Sequence, residues 1–305
     1  MVPPRLGILR CVGYNQQPVK MSERKGETKM QLNRMSVILL VLAALLMLSA
    51  CGPGASQIPQ VTIKTHDFSF EAPTQIEAGL VSITLENAGQ EPHHVQLVRI
   101  NDDVSMEQLQ AALQQGPEAA LPLVTLEGGP GVVDPGRSQQ VTVNLVPGRY
   151  LLICLVPSPD GVPHLAKGMI TPLEVIDKGA QAEVPEPQAD GAVNLLDFSF
   201  TLPADIKAGS HVWKVTNAGK QPHELALIKL AQGKTMQDVI AFMQAPSGPP
   251  PFEDAGGLQG IDPGESAWVK LDLQTGNYVA LCHIPDPASG KAHEELGMVM
   301  PFSVN

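Results

Sequence analysis

The chain repeats one plan twice, at a spacing of about 130 residues. Four motifs occur in the same order in each half: Asp67-Phe68-Ser69-Phe70 and Asp197-Phe198-Ser199-Phe200, Asn87-Ala88-Gly89 and Asn217-Ala218-Gly219, Asp134-Pro135-Gly136 and Asp262-Pro263-Gly264, and Gly148-Arg149-Tyr150 and Gly276-Asn277-Tyr278. A period of this length is too long for a solenoid unit, so it indicates duplication of a whole domain. The 305 residues suffice for two domains of ordinary size.

Within each half, apolar and polar residues alternate with a period of two, which is typical of half-buried strands. The clearest apolar positions are Val81, Ile83, Leu85, Val141, Val143, Leu145, Val269, Leu271 and Leu273. Turns containing glycine and proline separate these runs. Six or more short strands in each half predict an all-β protein made of two tandem Greek-key β-sandwich domains.

One short helix is predicted to interrupt the strands of each half. Ser105 with Gln108, and Thr235 with Asp238, form capping-box patterns just before apolar residues at helical spacing. The methionines of these segments are interpreted as packing residues, because that spacing is typical of an apolar helix face.

A pattern typical of an export signal precedes the two halves. Arg34 gives a positive flank, and residues 37–48 are an uninterrupted apolar run, too short for a membrane-spanning helix but typical of a secretory signal. The run ends in Leu48-Ser49-Ala50-Cys51, which resembles the lipobox of bacterial lipoproteins. The resemblance implies cleavage before Cys51, lipid on its sulfur, and attachment to the periplasmic or extracellular face of a bacterial membrane. The alternatives are an uncleaved signal anchor and an ordinary secretory signal.

These patterns divide the chain into five parts. They are an upstream segment plus signal peptide (1–50), a tether (51–60), a first domain (61–177), a linker (178–191) and a second domain (192–305). The linker is rich in proline, glycine and charged residues, which is typical of an exposed connection.

The exported part of the chain is acidic. Residues 51–305 carry 13 Lys and Arg against 29 Asp and Glu, a formal charge of −16. Such a surface repels nucleic acid and anionic lipid headgroups, so we expect no nucleic-acid partner. It favours a basic protein partner, although acidity also serves solubility alone.

The cysteines constrain the chemistry more than any other residue type. Cys11 lies upstream of the signal and Cys51 belongs to the lipobox, which leaves Cys154 and Cys282, one in each half. Exported proteins usually pair their cysteines, and a single cysteine has no partner within its own domain. Each of the two therefore binds a metal, bridges the halves, or lies buried and inert.

Each cysteine belongs to a set of four residues that recurs at equivalent places. The sets are His93, Cys154, His164 and Met169 in the first half and His223, Cys282, His293 and Met298 in the second. Two imidazoles, a thiolate and a thioether suit both Cu(I) and Cu(II), and the soft sulfur donors favour copper over magnesium or calcium. Zinc fits less well, because methionine is a poor zinc ligand. The neighbouring residues His94, His283 and Glu224 are expected to face solvent.

The order of these residues resembles the cupredoxins, the plastocyanin-like family of blue-copper proteins. That family shows an Asn-Ala-Gly…Pro-His stretch, then Gly-X-Tyr-X-X-X-Cys, a loop, His, four residues and Met, and both halves contain every element. The resemblance covers nearly all of residues 61–305. It implies two eight-stranded Greek-key sandwiches, each binding one copper at one end through the four residues above.

The loop between the cysteine and the second histidine departs from plastocyanin, which has two residues there. Cys154 to His164 encloses nine residues and Cys282 to His293 encloses ten. A similarly long loop occurs in copper nitrite reductases, so this departure is compatible with copper. The alternative is a pair of cupredoxin-derived sandwiches without metal, in which the histidines anchor loops.

The sequence favours an electron carrier with two coppers, a redox partner protein and no catalytic activity. The alternatives are a metal-free binding or structural pair of domains and a two-domain copper oxidoreductase. Enzymes of the last class need a further copper held by three histidines, and the oxidases show His-X-His pairs. No His-X-His pair occurs in this chain.

Overall fold

A computed structural model describes residues 57–177, 179, 184–245 and 247–305. The predicted signal peptide (1–50) and Cys51 lie outside these ranges, as do parts of the tether and of the linker. The five-part division of the chain therefore remains a prediction. Within the described ranges, no helix has both the length and the apolar character needed to cross a membrane.

The first half contains nine strands. In chain order they are β1 (Gln60–His66), β2 (Ser69–Glu71), β3 (Gln75–Glu77), β4 (Gly79–Asn87), β5 (Gln96–Ile100), β6 (Val124–Leu126), β7 (Ser138–Leu145), β8 (Gly148–Ile153) and β9 (Ile170–Ile176). One layer has the order β7-β4-β1-β2, and the other has the order β3-β9-β8-β5-β6. Strands β1 and β4 are parallel, as are β3 and β9, whereas the other neighbours are antiparallel.

The second half repeats this arrangement with eight strands. They are β10 (Gly191–Leu196), β11 (Ser199–Thr201), β12 (Gly209–Asn217), β13 (His223–Leu230), β14 (Phe252–Ile261), β15 (Ser266–Leu273), β16 (Gly276–Leu281) and β17 (Val299–Val304). One layer has the order β11-β10-β12-β15, and the other has the order β14-β13-β16-β17. The prediction of an all-β protein with two tandem sandwiches is confirmed.

In the described ranges, three short α-helices lie between the strands: α1 (Met106–Leu113), α2 (Pro117–Ala120) and α3 (Met236–Gln244). Both predicted capping boxes occur where a helix begins. The Gln108 N–H donates to Ser105 Oγ at 3.2 Å before α1, and the Thr235 N–H donates to Asp238 Oδ2 at 2.9 Å before α3. The four-residue helix α2 is an addition that the sequence pattern did not predict.

The alternating apolar residues form the core between the two layers. Val81, Ile83 and Leu85 of β4 are at most 1% exposed, and the predicted apolar residues of β7 and β15 are almost as deeply buried. Burying a side chain of this size contributes about 1.5–3 kcal/mol. The cores of the two halves touch and form one continuous apolar cluster.

The two halves are joined edge to edge through one layer of each. Strand β7 pairs antiparallel with β15, with Val141 opposite Val269 and Thr142 opposite Trp268. One eight-stranded sheet therefore runs through both halves. Val141 and Val269 are equivalent positions of the repeat, so an approximate two-fold axis relates the halves, as in a symmetric dimer.

A second seam joins residues 126–133 to residues 256–262. The Gly131 N–H donates to the Gly257 carbonyl at 3.1 Å, and the Gln259 N–H donates to a carbonyl of the facing segment at 2.9 Å. The facing layers of the two sandwiches are thereby joined as well. Backbone groups that would lie on exposed strand edges are paired between the halves instead.

Buried glutamines reinforce both seams. Gln139 Nε2 donates to the Lys270 carbonyl at 2.7 Å, and Gln96 Nε2 donates to the Gly260 carbonyl at 3.0 Å. Both side chains belong to the first half and are almost completely buried. A buried amide without such partners is costly, so these contacts favour one relative placement of the halves.

Candidate metal centres

The strands that carry the first-half candidates end at the same edge of their sheet. His93 lies just before β5, Cys154 directly follows β8, and Met169 lies just before β9. Strands β5 and β9 flank β8 and run antiparallel to it, so the starts of β5 and β9 meet the end of β8. His164 opens a 3-10 turn, His164–Lys167, that leads towards β9. The topology therefore brings the four residues to one end of the sandwich.

The second half is built in the same way. His223 is the first residue of β13, Cys282 directly follows β16, and Met298 lies just before β17. Strands β13 and β17 flank β16 and run antiparallel to it. His293 opens the 3-10 turn His293–Leu296. We call the two sets of four residues the first site and the second site.

The imidazole and thiol donor atoms of each site converge. In the first site, His93 Nδ1 and His164 Nδ1 lie 3.0 Å apart, and Cys154 Sγ lies 3.9 and 3.4 Å from them. The corresponding distances in the second site are 3.1, 3.9 and 3.4 Å. A point equally far from three atoms so placed lies about 2.0 Å from each, close to the length of a bond from a metal to nitrogen or sulfur.

Each imidazole also has a hydrogen-bond acceptor at its other nitrogen. His93 Nε2 lies 3.3 Å from Asp67 Oδ1, and His164 Nε2 lies 2.9 Å from Glu91 Oε2. In the second site the acceptors are, in the same order, Asp197 Oδ1 at 3.1 Å and Gln221 Oε1 at 3.0 Å. An acceptor at Nε2 holds the imidazole proton there and leaves a lone pair on Nδ1.

Two imidazole lone pairs therefore face each other in each site, beside a sulfur atom. This arrangement is repulsive unless a cation lies between the nitrogens. Moving the proton of one imidazole from Nε2 to Nδ1 removes this repulsion but creates another, because that Nε2 then faces its oxygen acceptor without a proton. A metal ion at the common point resolves both conflicts, so the donor set fits a metal.

Burial favours the uncharged forms of both cysteines and of three of the histidines. It raises the pKa of the Cys154 thiol to about 11, and it raises the pKa of Cys282 as well. Burial also lowers the pKa values of His93, His223 and His293. Neutral imidazole is the form that binds metals, whereas each thiol needs a nearby cation to become a thiolate. Both cysteines are free, and each lies within its own site.

Both methionines are buried beside the other donors. Met169 and Met298 are fully buried. The Met169 N–H donates to the His164 carbonyl at 2.9 Å, and the Cys154 N–H donates to the Met169 carbonyl at 3.3 Å. The backbone therefore holds this methionine directly against two of the converging residues. The role of the thioether as a fourth donor remains a prediction.

The long loop between the cysteine and the second histidine folds into a small hairpin. The His164 N–H donates to the Val156 carbonyl at 2.9 Å, and the Leu165 N–H donates to the Cys154 carbonyl at 2.8 Å. The second site has the same two bonds, both at 2.9 Å. The extra residues form the tip of the hairpin, and the two ends of the loop stay next to each other. The departure from the plastocyanin spacing therefore leaves the donors together.

The Asn-Ala-Gly motif shapes the segment before the first histidine. Asn87 is buried, and its Nδ2 donates to two main-chain carbonyls, both at 2.9 Å. A Cβ on Gly89 would lie 2.5 Å from Asp67 Oδ1 and 2.7 Å from His93 Nε2. Glycine is required here because any side chain would separate the histidine from its acceptor. The second half repeats both features.

The Asp-Phe-Ser-Phe motif also serves the site, a role that the sequence pattern did not reveal. Asp67 contacts His93, and the Phe68 ring lies edge-on to the His164 ring with centroids 5.2 Å apart. Phe68 has a φ of 65°, in the left-handed region that bulky residues rarely adopt. Such strained residues cluster at functional sites. The same contacts and the same φ region recur in the second half.

His94 and Glu224 are buried, so the expectation that they face solvent was wrong. They occupy equivalent positions after the first histidine of each site and are 4% and 7% exposed. His94 Nε2 accepts a hydrogen bond from the Leu155 N–H at 2.9 Å, and Glu224 Oε1 accepts one from the His283 N–H at 2.7 Å. Each therefore holds the residue that follows the cysteine. His283 itself is exposed, as expected, and contacts Glu294 at 2.8 Å.

In each half, two β-layers place two histidines, a cysteine and a methionine at one end of a sandwich, in the order that the sequence resemblance implied. Each half has a cupredoxin-like fold.

No protein-family model matches the chain, and no curated protein matches it. Among solved structures, it is similar to dithionite-reduced auracyanin from Roseiflexus castenholzii, with 20% identity and a TM-score of 0.26 over 40% of this chain and 99% of that one. It is similar to auracyanin A, a blue copper protein from Chloroflexus aurantiacus, with 24% identity and a TM-score of 0.26 over 38% and 98%. It is also similar to copper nitrite reductase from Nitrosomonas europaea, with 15% identity and a TM-score of 0.25 over 82% and 94%.

Proposed function

We propose that the protein binds two copper ions, one at each site, and serves as an electron carrier. The observation that carries this proposal is the convergence of two imidazole nitrogens and one sulfur on a common point, in both halves, with every donor side chain buried. The proposed ligands are His93, Cys154, His164, Met169, His223, Cys282, His293 and Met298. Copper bound there supplies a one-electron couple, and the protein supplies a rigid set of donors.

The donor types favour copper over zinc. Structural zinc sites use four strong ligands, and each site here has three, accompanied by a buried methionine. A trigonal set of two histidines and a cysteine with a weak thioether is the arrangement of blue-copper electron-transfer sites. The donors lie at strand ends and in turns closed by backbone hydrogen bonds. They can therefore stay in place when the metal changes its charge.

The closed character of the sites favours electron transfer over catalysis. All eight proposed ligands are 0% exposed, whereas a catalytic metal keeps an open position for substrate. The other histidines have separate partners: His66 faces Glu71, His211 contacts Asp190, and His94 and His283 make the contacts described above. Across the described ranges, three or more possible donors converge only at the two sites. A two-domain copper oxidoreductase, the least favoured alternative, needs a further centre.

The lipobox-like segment and the acidic charge of the chain bear on its cellular location and its redox partner. We place it outside the cytoplasmic membrane, attached through lipid on Cys51, because residues 30–51 combine a short apolar run with a lipobox-like ending. The charge of −16 over residues 51–305 favours a basic redox partner, because opposite charges steer association.

Copper loading of residues 52–305 tests the proposal. We expect two coppers per chain and intense visible absorption, because such absorption needs charge transfer from a thiolate sulfur to Cu(II). Metal analysis and a visible spectrum provide the measurement, and a zinc-loaded sample is the control, since zinc has no redox chemistry. A colourless copper-treated protein with two titratable thiols would overturn the carrier and favour a metal-free pair of domains. Turnover of nitrite or a phenolic substrate would favour the oxidoreductase.

The lipid anchor has its own test. The variant Cys51→Ala is expected to leave the membrane fraction or to remain unprocessed, because the acylated thiol is missing. Fractionation and mass spectrometry measure this, and Cys11→Ala is the matched control because Cys11 lies upstream of the signal. Unchanged membrane association and mass in the Cys51 variant would refute the anchor.

A further inference from the structure

The two sites have the same donors, but their second histidines have different hydrogen-bond acceptors. His164 Nε2 lies 2.9 Å from the carboxylate of Glu91, whereas His293 Nε2 lies 3.0 Å from the amide oxygen of Gln221. Glu91 and Gln221 occupy equivalent positions, each two residues before the first histidine. The other contacts at the outer edges of the imidazoles match, with aspartate at the first histidine and phenylalanine at the second. At the outer edges of the imidazoles, the repeat therefore leaves one chemical difference.

The chemical consequence of that difference acts through the imidazole ring. Glu91 is partly exposed, with 24% of its side chain accessible, so it is a carboxylate at neutral pH. A charged acceptor draws the Nε2 proton more strongly than a neutral amide does, and this makes Nδ1 a better electron donor. It also places a negative charge next to the ligand. Both effects stabilise Cu(II) relative to Cu(I).

Other groups also differ between the sites. Glu224 is a buried carboxyl beside the second site, where the first site has His94. Gln221 Nε2 donates to Asp286 Oδ1 at 3.0 Å, so the second site has a carboxylate one hydrogen bond further away, and the amide transmits only part of its effect. Lys167, near the first site, is paired with Asp160 at 2.9 Å, so its field at the site is reduced. A substitution of Glu91 changes only the acceptor of His164 and leaves these groups in place.

We propose that the hydrogen bond from His164 to Glu91 lowers the reduction potential of the first site below the value that an amide acceptor, such as Gln221 in the second site, would give. This inference rests on the proposed binding of copper. In each step one Cu(II) gains one electron from an external one-electron donor and becomes Cu(I), and no protein group is oxidised. Glu91 and Gln221 are positioning residues, because they act through His164 and His293.

Reciprocal exchange of these two residues tests the proposal in the full-length protein. Cys282→Ser leaves only the first site and Cys154→Ser leaves only the second, so each potential can be measured alone by mediated titration of the visible absorption. We expect Glu91→Gln to weaken the preference of the first site for Cu(II) about ten-fold, which raises its potential by about 59 mV for a one-electron couple. Gln221→Glu should lower the second potential by a similar amount.

Copper content and colour separate the possible outcomes. Exchanges that retain copper and leave both potentials unchanged would overturn the role of Glu91 while leaving copper binding intact. If neither single-site protein binds copper, both the tuning and the proposed function fail. Asp286→Asn is a second variant for the case that Gln221→Glu does not fold. It should raise the second potential, by less than Glu91→Gln raises the first, and an equal or larger rise would contradict the ranking of direct contact over remote charge.

Discussion

Replacing Cys154 with serine is expected to remove one of the two coppers and part of the visible absorption, and Cys282→Ser is expected to remove the other copper. The serine hydroxyl is a hard donor that stays protonated at neutral pH, so each site loses its anionic ligand. The two sites share no donor atom, so each loss should be independent of the other. The double variant should be colourless. Copper per chain and visible absorbance measure the effect.

The methionine variants are the matched controls for this experiment. Met169→Leu and Met298→Leu replace a buried thioether with an aliphatic side chain of similar volume. Both variants are expected to retain copper and to shift the reduction potential, because a thioether would bind copper only weakly. Circular dichroism should show that every variant is folded. Retention of both coppers by Cys154→Ser would show that this thiol is not a ligand. A denatured, unreduced protein with neither Cys154 nor Cys282 free would reveal a disulfide and contradict the two free cysteines of the structure.

Replacing Gly129 with alanine is expected to destabilise the first half by about 3 kcal/mol or more. Gly129 has a φ of +130°, and a Cβ there would overlap the main-chain carbonyl of Val95. Backbone atoms of a paired segment cannot move aside, because the Val95 N–H donates to the Pro130 carbonyl at 3.1 Å. Gly129 also accepts a hydrogen bond from the Gln259 N–H, so the seam between the halves should weaken too. Denaturant unfolding followed by circular dichroism measures the change.

Gly136→Ala is the matched control for the effect of backbone conformation alone. Gly136 has a φ of +76°, and a Cβ there would meet no atom within 4 Å. Its substitution should cost about 1–2 kcal/mol, the usual penalty for a left-handed residue with a side chain. Gly257→Ala should behave like Gly129→Ala, because its Cβ would overlap the Leu225 carbonyl. If Gly129→Ala is no less stable than Gly136→Ala, steric overlap is not what requires glycine there.

Sequence reasoning went furthest for the donor residues. His93, Cys154 and His164 are widely spaced in the chain, yet the order of motifs placed them in one set, and the structure brings their donor atoms together. The repeat made this possible, because chance resemblance rarely preserves the same residue types at equivalent places twice. The alternation of β4, β7 and β15 likewise predicted which side chains are buried.

The burial of His94 shows where a local rule failed. Neighbouring side chains on a strand point to opposite faces, so a residue next to a buried histidine was expected to be exposed. The face to which His94 points is also covered, because the chain beyond Cys154 folds back over it and the Leu155 N–H donates to His94. A period of two assigns a residue to a face, but it contains no information about what covers that face.

The sequence by itself determined the duplication, the strand pattern, the helix caps and the candidate ligands, because each depends on residue type at short or repeated spacing. Only the tertiary structure decided how the halves meet through β7 and β15, and that Glu91 and Gln221 are the acceptors for the second histidines. These contacts join residues far apart in the chain, and many polar residues satisfy the same local pattern equally well. Hydrogen bonding and burial select among them only when the whole chain is packed.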